Sequence, residues 1–86
     1  MYAILIYDIN QRRVGKMLKL CRQYLTWIQN SVFEGEISRS KLEELKSKVE
    51  KIMKDDDSLI IFLSRDSKWL DKQILGKELN SPDNML

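Results

Sequence analysis

Tyr2-Ala3-Ile4-Leu5-Ile6-Tyr7 is an unbroken apolar run of β-forming residues, and it stops at a carboxylate, Asp8. It is far too short for a membrane-spanning helix, which takes about 20 apolar residues. It reads instead as a central strand over residues 1–9, covered on both faces. Such a strand demands neighbouring strands to pair with it and helices to cover it. A basic segment follows at once: Arg12, Arg13, Lys16, Lys19 and Arg22. A buried strand that delivers one acid to its end, beside a positively charged helix, is a plausible place to hold a metal ion against a phosphate.

The rest of the chain can be read as a scaffold for that point. Asn10 suits the cap of a helix over residues 11–25. Val14, Met17, Leu18, Cys21 and Leu25 make its apolar stripe, while Arg12, Lys16, Lys19 and Gln23 share another face. Residues 27–34 are expected as one strand, with Ile28 and Val32 on one side and Trp27, Gln29, Ser31 and Phe33 on the other. The second side mixes aromatic and hydrogen-bonding groups, so it either meets a partner or is a half-exposed sheet face. Gly35 then allows a sharp turn. Ser40 and Glu43 have capping-box spacing and open a helix over 41–54, with Leu42, Leu45, Val49, Ile52 and Met53 inward. Asp55-Asp56-Asp57 reads as a solvated turn, because three consecutive acids cannot converge on one ion. Residues 58–63 form another strand, 65–68 a polar loop, and 69–75 a last strand ended by Gly76. Asn80-Ser81-Pro82-Asp83-Asn84 signals a turn. The closing Met85-Leu86 suits docking on another subunit.

The plan inferred is strand, helix, strand, strand, helix, strand, which the segments above match in number though not in order. This is the split βαβ arrangement of ferredoxin-like α+β domains, with two helices on one face of an antiparallel sheet. At 86 residues the chain is one domain with a modest core. The uncovered sheet face is the natural place for a partner.

Composition narrows the chemistry. The chain has no histidine and one cysteine, Cys21. Histidine-dependent triads, His-ligated metals, multi-thiolate zinc sites and intrachain disulfides are all excluded. Carboxylates, lysine, arginine, tyrosine and a hard oxygen-ligated cation such as Mg²⁺ remain. No signal-peptide pattern is visible, so a cytoplasmic protein is expected. Net charge is only +2, but between Gln11 and Phe33 there are 5 basic residues and no acidic one. That asymmetry fits either a face for an anion such as nucleic acid or one helix with a basic solvated side.

Asp8 is the leading candidate for chemistry. One carboxylate is a poor Mg²⁺ site, but two related by a dimer axis could grip one cation. Alternatively, Asp8 caps the helix or pairs with Arg12 or Arg13. Those arginines either fork onto phosphate oxygens or merely open a solvated helix. Tyr7 points away from Asp8 and reads as core, as does Cys21 on the apolar stripe.

The residues so assembled resemble the small CRISPR-associated adaptation protein, the CRISPR-associated endoribonuclease family. The resemblance rests on Tyr7-Asp8-Ile9, Arg13-Val14, and Gln29-Asn30-Ser31-Val32-Phe33-Glu34-Gly35. Gly76-Lys77 and Asn84-Met85-Leu86 add to it, so it covers essentially the whole chain. It implies a ferredoxin-like homodimer whose short C-terminal strand, within about residues 77–86, lies against the other subunit. It also implies one Mg²⁺ shared between two copies of Asp8, metal-dependent cleavage of RNA or DNA, and partnership with the CRISPR integrase around double-stranded DNA in spacer acquisition. Arg13 and Phe33 match positions that matter in some members, and Tyr7 belongs to the matched strand. Trp27 stands where some members carry arginine, a departure that bears on nuclease activity. Arg12, Arg13, Lys16 and Lys19 are the expected nucleic-acid contacts. Two other functions remain open: a structural adaptor without catalysis, and a single-stranded RNA-binding domain. The latter lacks the expected Gly-Phe/Tyr-rich strand motif.

Overall fold

The computed structural model describes residues 1–76. Its elements are β1 (Tyr2–Asp8), α1 (Gln11–Arg22), β2 (Thr26–Gln29), β3 (Val32–Glu36), α2 (Arg39–Ile52) and β4 (Ser58–Ser64), followed by a 3₁₀ turn, Ser67–Trp69. The strands form one antiparallel sheet in the order β2-β3-β1-β4. This is the expected ferredoxin-like α+β fold. Ala3, Leu5 and Tyr7 of β1 and Phe33 of β3 pack with Met17, Leu20 and Cys21 of α1 and Leu42, Leu45 and Val49 of α2. Both helices therefore cover the same sheet face. By the pleat, Tyr2, Ile4, Ile6 and Asp8 point to the opposite face.

The βαββαβ order is met differently from the segments read in the sequence. Residues 27–34 are a hairpin, with Asn30 and Ser31 between β2 and β3. Asn30 adopts a left-handed conformation at φ 43°, which asparagine tolerates better than most residues. The Trp27 indole N–H donates to the Asn30 carbonyl at 2.8 Å and braces that turn. Gly35 lies inside β3 opposite Ala3, not at a turn. Phe33 is fully buried against the helices, so the Trp27–Phe33 side is the covered one.

Two further expectations change. Residues 70–75 are not a strand. They run alongside Ile4, Ile28, Val32 and Glu34, bounding a groove of about 340 Å³. Lys72 is hydrogen-bonded to the buried Glu34 there. The proposed docking tail at 77–86 lies outside the described residues. Helix α2 starts earlier than its capping-box spacing suggested: Ser38, not Ser40, caps it by accepting from the Lys41 amide. Lys41 then occupies the box's acid position.

On the open sheet face, Ile60 and Phe62 of β4 remain 54% and 55% exposed. They lie across from Ile6 and Ile4 of β1. No helix among the described residues is long and apolar enough to cross a membrane.

Candidate functional site at the end of the first strand

Strand β1 is central, yet its two ladders end at different places. Its register with β3 stops at Ile6 opposite Val32, with one more bond from the Tyr7 amide to the Ser31 carbonyl at 3.2 Å. Its register with β4 continues to Asp8 opposite Ser58. Asp8 is thus held from the β4 side, exposed, and carried to the rim of the open face. Its carboxylate has no hydrogen bond or ion pair among the described residues. It neither caps α1 nor pairs with Arg12 or Arg13. Asn10 is the cap, accepting from the Arg12 amide at 2.9 Å. A hollow of about 290 Å³ beside Asp8 is lined by Tyr7, Ile9, Val14, Asn30 and Ser31 as well.

Arg13 goes elsewhere. Its Nε donates to Asp57 Oδ2 at 2.6 Å and its Nη2 to Asp57 Oδ1 at 2.9 Å. A weaker Nη2 contact reaches Asp56 at 3.3 Å. The Asp57 side chain is 0% exposed and also accepts from the amides of Asn10 and Lys54, each at 2.9 Å. The expected solvated turn is therefore right only for Asp55 and Asp56, which are exposed. The Arg13 guanidinium, with the two amide donors, holds the Asp57 carboxyl well below the usual carboxylate range. Asp57 is the residue the sequence reading missed. Its signal was slight: an acid immediately before an apolar strand, in a chain with an unclaimed arginine at a helix start.

The remaining cations of α1 stand differently. Arg12, Lys16 and Lys19 are exposed on one outward stripe, without ion pairs among the described residues. Arg22 lies over the Trp27 ring at 5.7 Å. The apolar stripe is rotated slightly from expectation: Leu20 joins Met17 and Cys21 in the core, while Val14 is 37% exposed near Asp8.

Tyr7 is core, its ring stacked on Phe33 with centroids 5.9 Å apart. Its hydroxyl is buried without a partner among the described residues, and burial raises its pKa. Burial likewise pushes the Cys21 thiol up to about 12, leaving it a neutral packing group.

No group of three or more His, Cys, Asp or Glu side chains able to hold a metal occurs among the described residues. Among the described residues, one chain supplies one available carboxylate at this point. That fits Mg²⁺, which binds through one or two carboxylates and keeps several waters, provided a second copy contributes.

Comparison with known proteins agrees with this architecture. The family model described as CRISPR associated protein Cas2 matches residues 1–72. A CRISPR-associated endoribonuclease Cas2 of Dictyoglomus turgidum is 48% identical, covering 100% of both chains. One from Fusobacterium nucleatum is 44% identical, over 100% of this chain and 87% of its own. A crystal structure of cas2 superposes with a TM-score of 0.86 at 43% identity, covering 100% of this chain and 97% of that one.

Proposed function

The chain belongs to the CRISPR-associated protein Cas2 family, and from that premise we propose that it is a homodimeric, Mg²⁺-dependent endoribonuclease of a CRISPR system. The observation that carries this reading is the Asp8 carboxylate: exposed, at the end of a rigid central strand, and unclaimed by any described residue. An acid left without a partner beside a basic helix is available to a cation and, through it, to a phosphate. Two copies facing each other about a dimer axis would supply the pair of carboxylates that the described residues of one chain lack.

When bound, Mg²⁺ acidifies a coordinated water and offsets charge on a phosphodiester. The chain's part is to place Asp8 rigidly and to hold the nucleic acid. Arg12, Lys16 and Lys19 would bind backbone phosphates, contacts that position a strand without reading its bases. That tolerance suits single-stranded RNA and also duplex DNA.

The outward stripe on α1 favours a second reading, compatible with the first. The same dimer serves as the DNA-binding core of spacer acquisition, beside the CRISPR integrase, and this role does not need Asp8.

The nuclease reading is tested with purified protein and single-stranded RNA. Cleavage should require Mg²⁺, stop with chelator, and fall on the order of 10²-fold or more in Asp8→Asn, the scale expected when a positioning group at the reacting centre is lost. Cleavage that persists at the wild-type rate in Asp8→Asn would refute it.

A further inference from the structure

The sheet does not hold Asp8 unaided. On the β3 side the register ends at Ile6 and the last backbone bond is made by Tyr7, and on the β4 side Ser58 is the last partner. The next rung is made by a side chain. Asp57, immediately before Ser58, accepts the Asn10 amide through Oδ1 at 2.9 Å. In effect its carboxylate extends the β1–β4 ladder beyond Asp8, where backbone pairing has stopped.

That rung is itself anchored on two further elements. Oδ2 accepts the Lys54 amide just past the end of α2, and the Arg13 fork joins both oxygens to the first turn of α1. The carboxylate thus receives four hydrogen bonds from three places in the chain. An acid 0% exposed and so fully paired has no capacity to bind a ligand. Its partner Arg13 is 19% exposed, with its Nε and Nη2 already donating.

We propose that Asp57 and Arg13 are positioning residues for Asp8: their ion pair fixes the end of β1, and with it the place where the Asp8 carboxylate stands. Arg13 thereby differs in role from Arg12, Lys16 and Lys19, although all four belong to one basic segment. It acts on the protein, while they face outward. The consequence for metal binding rests on the reading of Asp8 as a ligand; the consequence for order at the strand end does not.

The full chain, labelled with ¹⁵N, separates the two. Wild type is compared with Asp57→Asn and with Leu42→Ala, a core variant on α2 that lowers stability without touching the rung. Backbone order at Ile9 and Asn10 should lie near the rigid value of about 0.85 in wild type and fall toward about 0.6 in Asp57→Asn, but not in Leu42→Ala. Mn²⁺ serves as a paramagnetic probe. The concentration that broadens the Asp8 and Ile9 amides should rise roughly 10–100-fold in Asp57→Asn, the usual effect of losing a group that orients a metal ligand. Arg13→Lys should recover part of the order lost in Arg13→Gln. The Arg13 pair also stands in for Asp57→Asn should that variant not fold.

Unchanged order at Ile9 and Asn10 in Asp57→Asn, or an equal change in Leu42→Ala, would overturn the positioning role. If Mn²⁺ leaves the wild-type Asp8 amide untouched, the metal reading fails, and the order measurements still decide the role of Asp57.

Discussion

Asp8 and Asp57 flank the same corner of the sheet, one ending β1 and the other leading into β4. Asp8 is exposed and without a described partner, whereas Asp57 is enclosed by four donors. The Asp57 pKa is depressed in the folded state. It therefore contributes stability above its unfolded value, near pH 4, and that contribution is lost as pH falls through the acid range below it. Stability measured by denaturant titration from pH 5 downward should drop more steeply in wild type than in Asp57→Asn, by up to about one proton's worth of slope. Equal slopes would mean that Asp57 is no better held than an exposed acid. Asp8 could be found in the sequence because an apolar run delivers it. Asp57 could not be told from Asp55 or Asp56, because what distinguishes it is an arginine 44 residues away.

At the scale of elements, α1 carries its cations in two settings. Arg12, Lys16 and Lys19 form the outward stripe, while Arg13 is tied to Asp57. Duplex DNA binding should weaken with salt, and Arg12→Gln or Lys16→Gln should each lower the logarithmic salt slope by about 1. Arg13→Gln should leave that slope near the wild-type value. A slope that falls as much in Arg13→Gln as in Arg12→Gln would place Arg13 on the nucleic acid after all. The helix and its basic face were legible from periodicity. The β2–β3 hairpin was not, because Asn30-Ser31 lacks the glycine that usually marks a two-residue turn, and β-compatible residues continue through it. The segment 69–75 misled for the opposite reason. Its apolar residues look strand-like, but 70–75 runs beside the open face, where Lys72 meets Glu34, without joining an edge.

Across the described molecule the two sheet faces are unequally covered. Two helices bury one sheet face, and residues 70–75 run beside part of the other, leaving Ile60 and Phe62 more than half exposed across from Ile6 and Ile4. Apolar surface of this kind suits a second copy, and a two-fold axis passing beside the end of β1 would bring Asp8 against its own counterpart. Sequence alone indicated an open face. Which half of it stays open depends on the path of residues 70–75, a tertiary arrangement that no periodicity records. Two strand-end carboxylates sharing one cation would bind it at a stoichiometry of one ion per two chains. Equilibrium dialysis of the purified protein against Mn²⁺ reads that ratio. One ion per two chains, with binding abolished in Asp8→Asn, is expected; one ion per chain, or binding undiminished by Asp8→Asn, rules the shared site out.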